Sequence, residues 1–124
     1  MTSLMIVVTY LTGAVLDGSI SQEPPAPQAG DTSIPIDGGS LPLQGAKKIQ
    51  VIDDEDELLL GNPWWNLKIQ FVDGMEGSFF LPEEPSLPLP PAGFVELQDA
   101  DGHKVWVPEE AVSSATSNGP YWRG

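Results

Sequence analysis

Strand-like alternation of apolar and polar positions recurs along this chain. Ile6-Val7-Val8-Thr9-Tyr10 is β-branched and aromatic, which suits a strand. Residues 1–21 are therefore expected to form an N-terminal strand or a hairpin, turning at Thr12-Gly13 or at Asp17-Gly18. Ile49 and Val51 alternate with Gln50 and Ile52 in a second strand. Trp64 to Val72 is the clearest one. Leu67, Ile69 and Phe71 share one face, and Lys68 and Gln70 take the other. Asp73-Gly74-Met75-Glu76-Gly77 reads as a tight loop, after which Ser78-Phe79-Phe80-Leu81 returns. Pairing Phe71 with Phe79 and Ile69 with Leu81 collects the apolar residues on one face, so the pattern is expected to set the register.

A second hairpin spans Phe94 to Val107. Asp99-Ala100-Asp101-Gly102-His103 fits a three-residue loop, with Gly102 in the left-handed conformation as a bulge. Val95, Leu97, Val105 and Val107 then share the core face, Glu96 lies opposite Trp106, and Gln98 lies opposite Lys104. Pro108 ends the strand because it has no N–H for the ladder. Glu109-Glu110-Ala111-Val112 suits a short helical turn.

Other stretches interrupt this pattern. Residues 22–46 hold Pro24-Pro25-Ala26-Pro27, Gly38-Gly39 and Leu41-Pro42-Leu43. They are expected to form an extended Pro/Gly-rich arm, with Ile34, Ile36, Leu41 and Leu43 laid in a groove of a partner. Asp53 to Glu57 is a charged loop, Leu58-Leu59-Leu60 is expected to be buried, and Gly61-Asn62-Pro63 marks a turn. Pro82, Pro85, Pro88 and Pro91 recur every third residue, the repeat of polyproline II. The segment 82–91 is read as a stiff connector or as a ligand for an aromatic groove. Residues 113–124 form a polar tail ending in Tyr121-Trp122-Arg123. The predicted architecture is all-β: a small barrel or sandwich over 47–112, an N-terminal strand or hairpin, an arm and a tail.

The run Gly102-His103-Lys104-Val105-Trp106-Val107-Pro108-Glu109-Glu110-Ala111-Val112 resembles the closing hairpin of SH3-like barrels. That ending carries Gly, an aromatic, an aliphatic, Pro, two polar residues, a small or aromatic residue and Val at this spacing. Asp53 to Leu58 is loosely similar to the acidic loop of the same family. The resemblance implies a small β-barrel. It does not imply the family's proline-ligand groove, because the aromatic expected upstream falls near Gly93.

Composition narrows the function. With 13 Pro and 13 Gly the chain is rich in both, yet 40% of it is apolar, enough for a core. Cysteine is absent, which removes disulfides, thiolate metal sites and cysteine nucleophiles. Eighteen acids against five bases give a formal charge of −13, and such a surface repels phosphate. Direct nucleic-acid binding is not expected. The first lysine is Lys47, so the opening lacks the basic start of a secretion signal, and its apolar run is too short to span a bilayer. A virion or the cytoplasm is the expected location.

Catalytic chemistry finds little support. His103 is the only histidine and sits beside a turn, where exposure and no orienting partner are expected. Asp99, Asp101 and Glu110 fall at calcium-loop positions, but Lys104 stands where that loop requires glycine. No phosphate loop, dinucleotide fingerprint or nucleophile elbow occurs. No enzyme activity, cofactor or metal is expected.

The four tryptophans are better guides. Trp64 and Trp65 are adjacent and so point to opposite faces, one into the core and one toward an interface. Tyr121-Trp122 has the composition of an anchor. The expected partner-binding residues are Ile34, Ile36, Leu41, Leu43, Trp64, Tyr121 and Trp122. Arm and tail are expected to lie against neighbouring subunits, and the sheet edge at residues 4–10 to join a partner sheet. The expected role is a structural protein that docks on a protein partner, above all a repeated assembly such as a capsid shell, as a cement or decoration protein. Self-association into a homo-oligomer is a further arrangement, and no membrane partner is expected. The competing role is an acidic inhibitor that mimics nucleic acid in a basic cleft.

Overall fold

The computed structural model describes residues 4–58, 60–87 and 93–122. Leu59, Pro88, Pro91 and Arg123, which figure in the expectations above, lie outside the described residues. The strands are β1 (Leu4–Tyr10), β2 (Val15–Ile20), β3 (Ser33–Ile36), β4 (Gly39–Pro42), β5 (Ala46–Asp53), β6 (Trp64–Phe71), β7 (Glu76–Leu81), β8 (Phe94–Gln98), β9 (Lys104–Pro108) and β10 (Val112–Tyr121). The expected helical turn is a 3-10 turn over Glu109–Ala111, between β9 and β10. Among the described residues no helix is long and apolar enough to cross a membrane.

Eight strands form one antiparallel sheet in the order β10-β6-β7-β8-β9-β5-β1-β2, and β3 and β4 form a separate hairpin. The fold is all-β. The large sheet is open rather than closed into a barrel, with β10 and β2 at its two edges. β7 and β8 share a single bridge, Phe80 with Gln98. Side chains, more than ladder bonds, join the sheet there: Leu67, Ile69, Phe71 and Phe79 from one side meet Leu97, Val105 and Val107 from the other in one buried cluster.

A second cluster lies on the opposite face of β9. Trp106 packs there with Ile6, Val8, Ile49 and Val51, under Ile34 and Leu41 of the β3–β4 hairpin. The Tyr10 hydroxyl ties the hairpin down by donating to the Pro42 carbonyl at 2.6 Å. The same burial pushes the Tyr10 hydroxyl pKa up.

The predicted arm is therefore corrected. Ile34, Leu41 and Leu43 are 2%, 7% and 4% exposed and belong to this chain's own core, with Ile36 half-buried against it. The physical reason is a two-residue turn at Asp37-Gly38, which pairs Ile36 with Gly39 and Ile34 with Leu41. Prolines fit because each strand of a two-stranded sheet has a free edge, where a missing N–H costs nothing.

The tail is also corrected. Residues 112–121 are strand β10, which pairs with β6 from Phe71 to Trp64. Its serines and threonine hid it, because an edge strand bonds through its backbone and needs few apolar side chains. The edge expected at residues 4–10 is interior: β1 pairs with β2 on one side and β5 on the other.

The β8–β9 register is as expected, with Glu96 opposite Trp106 and Leu97 opposite Val105. The β6–β7 register is not. Leu67 faces Phe79 and Trp65 faces Leu81. The loop closes earlier, with the Phe71 N–H donating to the Met75 carbonyl at 2.8 Å. Asp73 holds this loop by accepting from the Met75 N–H at 2.8 Å. The slip is an even number of residues, so every apolar side chain keeps its face. The Phe71 and Phe79 rings still meet edge to face at 6.5 Å.

Lys47 links β5 to this loop. Its Nζ lies 3.0 Å from Asp73 Oδ2 and 4.8 Å from the centre of the Phe71 ring. The Met75 N–H, against an upward push from burial and with help from Lys47, holds the Asp73 carboxyl below its usual pKa.

Two outcomes follow from the packing. Phe71→Ala should cost about 3–5 kcal/mol, read as a lower melting temperature, because the ring is almost fully buried. Asp73→Asn should lower the melting temperature at neutral pH. A carboxyl with a depressed folded pKa stabilises above its unfolded pKa and loses that contribution as pH falls. The gap between wild type and Asp73→Asn should therefore narrow on acidification through the carboxylate range, and a constant gap would remove the pair from the account.

Candidate interaction surfaces

Two surface features adjoin each other near the β7–β8 junction. The first is aromatic. Pairing of Tyr121 with Trp64 brings the ends of β10 and β6 together. The two rings lie 4.7 Å apart at 32°, and Trp64 also meets Phe80 at 5.8 Å. Trp64 is half-buried, whereas Tyr121 is 42% and Trp122 68% exposed. Of the seven residues expected to bind a partner, the structure gathers Trp64, Tyr121 and Trp122 at this end. The other four, Ile34, Ile36, Leu41 and Leu43, are committed to the β3–β4 hairpin and the core. Trp65 is half-buried like Trp64, so neither indole enters a core cluster as expected.

The second feature is a groove of about 810 Å³ between the 53–61 loop and the β7–β9 face. Leu4, Val51, Leu60, Phe80 and Leu81 supply its apolar surface. Glu23, Asp53, Glu55, Asp56, Glu57 and Glu96 supply carboxylates. Phe80 lines this groove and also touches Trp64, so the two features are continuous. Sequence reasoning missed the groove, because Glu23, Leu60 and Glu96 meet only once β1, β5, β8 and β9 are paired.

The loop is built to hold its acids in place. Asp56 accepts from the Asp53 N–H and Asp53 from the Glu55 N–H, both at 3.0 Å. On the facing hairpin, Asp99 Oδ1 accepts from the Asp101 and His103 N–H groups, and its Oδ2 accepts from Gln50. His103 does have a partner: its Nδ1 lies 2.9 Å from Asp56 Oδ2, which clips the hairpin to the loop. Gly102 adopts φ +85°, as its turn position requires, and a Cβ there would fall on the Glu57–Leu58 peptide. Loop and hairpin thus touch backbone to backbone.

Among the described residues, Lys104 is the one cation lining the groove. It pairs with Glu23 and lies near the Trp106 ring. Burial alone would lower its pKa, but the Glu23 pairing and the charges of Glu96 and Asp56 outweigh that and raise it. Asp99, Asp101 and His103 place ligand-type atoms within 4.8 Å of one another; Asp99 already accepts from the turn N–H groups and from Gln50, and His103 Nδ1 already lies against Asp56.

No protein-family model, curated protein or solved structure matches this chain. Function therefore rests on these two surfaces and on the chemistry their residues offer.

The loop–hairpin contact has a direct test. Gly102→Ala should combine backbone strain with a clash against Glu57. Amide exchange across residues 54–58 should accelerate while exchange in β1 and β6 stays slow. Unchanged protection of 54–58 would show that the close approach does not hold the loop.

Proposed function

We propose that this chain is a non-enzymatic binding protein that docks on a larger protein assembly through its aromatic end. One observation carries the reading: Tyr121 and the largely exposed Trp122 project beside Trp64 at the end of an open edge strand. An isolated domain gains nothing from leaving an indole in water, whereas aromatic residues at an interface centre dominate binding energy. The net charge of −13 adds a preference for a basic partner surface. A repeated assembly such as a capsid shell is the partner class we favour, with the chain as a cement or decoration protein. The residues of the expected arm are core, so docking falls to the β6–β10 end.

The alternative of an inhibitor that mimics nucleic acid draws on the carboxylates around the groove. They share the groove with the apolar side chains of Leu4, Leu60, Phe80 and Leu81. A phosphate backbone offers regular charge along its length, so the arrangement favours docking over mimicry.

The test is to purify the full chain gently from its source and size the complex by sedimentation. The wild-type chain should travel with a large assembly. Tyr121→Ser with Trp122→Ser should melt within a few degrees of wild type and sediment mostly as the free chain, losing about 2 kcal/mol or more of binding. A free wild-type monomer, or a variant that co-sediments equally well, overturns the proposal.

A further inference from the structure

We infer that the groove between the 53–61 loop and β8–β9 binds an extended protein segment bearing lysine or arginine, with the aliphatic stem on the apolar surface and the charged head among the carboxylates. This goes beyond docking through the aromatic end and does not depend on it.

The first support is the chemistry of the lining. An apolar surface from Leu4, Leu60, Phe80 and Leu81 under a carboxylate rim matches a side chain that is hydrocarbon along its stem and cationic at its tip. A small inorganic cation has no use for the apolar part, and an anion is repelled by the rim. The volume, about 810 Å³, suits a stretch of side chains and backbone more than a single ion.

The second support is charge balance. Among the described residues, six carboxylates line the groove against one ammonium, that of Lys104. Asp53 and Asp56 are engaged by their own loop, and Glu23 by Lys104. Glu55 and Glu57 are exposed on the rim, and among the described residues neither carboxylate has an ion-pair partner. The site thus keeps negative charge facing the solvent side after its internal pairs are counted.

The third support is Lys104 itself. It shows what the groove does to an alkylammonium: despite partial burial, the surrounding carboxylates hold it in the charged form. Its ammonium lies 6.0 Å from the centre of the Trp106 ring, and Phe80 offers an incoming cation an aromatic neighbour of the same kind.

The rim is preorganised. The turn bonds of Asp53 and Asp56, the Asp56–His103 clip and the Gly102 contact fix the loop before any partner arrives. A fixed rim loses little entropy on binding.

The experiment is fluorescence polarisation of the full chain with a short labelled peptide alternating leucine and arginine, beside a peptide with glutamine at each arginine. The arginine peptide should bind at low salt and weaken as salt rises, and the glutamine peptide should not bind. Glu55→Gln with Glu57→Gln should weaken binding about three- to tenfold, two exposed ion pairs being lost. Leu60→Asn should weaken it as well, with the rim charge intact, and spermidine should displace the peptide poorly. Tyr121→Ser with Trp122→Ser should leave peptide binding unchanged, so failure here and failure of the aromatic docking surface read out separately. The inference is overturned by absence of binding at low salt, by equal affinity in the Glu55/Glu57 double variant, or by insensitivity to Leu60→Asn with full displacement by spermidine. That last pair of results would mark a diffuse cloud of charge.

Discussion

Strand β9 is buried on both faces, and the rest of the structure is arranged around that fact. Val105 and Val107 point into one core and Trp106 into the other, all at 2% exposure or less. Burying a large side chain is worth about 1.5–3 kcal/mol, and this strand does so in both directions. An acidic chain of this size can supply two cores only if they share a wall. β9 is that wall, bonded to β8 on one side and β5 on the other. Trp106 brings a polar atom inside with it, and Glu96, directly across the strand pair, accepts from its Nε1 at 3.0 Å. The carboxylate of Glu96 is thereby fixed on the face where the groove forms.

Sequence reasoning recovered what short-range pattern encodes. The β8–β9 hairpin was legible to the residue, because a glycine at the third loop position leaves one register open to the flanking Val and Leu. The same loop form recurs at Gly13 and Gly74, where Tyr10 and Phe71 close the turns. At Gly74 the five-residue reading placed the return of β7 too late. Alternation distinguishes odd slips from even ones but cannot tell two even registers apart. The hydrogen bond from Phe71 to Met75 makes that choice.

The larger errors came from treating composition as structure. Prolines at 35 and 42 suggested an arm, although Asp37-Gly38 between Ile34-Pro35-Ile36 and Leu41-Pro42-Leu43 is a hairpin signal. Proline excludes a central strand and leaves a two-stranded flap untouched. Ser113 to Asn118 suggested a tail because edge strands carry a weak side-chain signal. Of the seven residues expected to bind a partner, Trp64, Tyr121 and Trp122 come together at one end of the sheet, and the other four are core or packed against it. The groove was not legible in the sequence, since its lining spans residues from Leu4 to Lys104 and exists only as a product of topology.

The weak bond between β7 and β8 connects fold and surface. A ladder of one bridge lets the β10-β6-β7 leaf turn relative to β8–β9, and the Leu67–Val107 core fills the inside of that bend. Phe80 from one side of that junction and Glu96 and Gln98 from the other line the groove. The 53–61 loop borders this groove because β5 ends beside β9 and the chain must reach the start of β6. A loop on that path sits at the mouth of a partly apolar cleft. Acids there cannot all be neutralised by a chain with five bases, two of which, Lys47 and Lys68, are paired with Asp73 and Glu76 at the other hairpin. The residual charge is thus a consequence of where the strands part, and a cation supplied by another chain is the complement that this geometry leaves open.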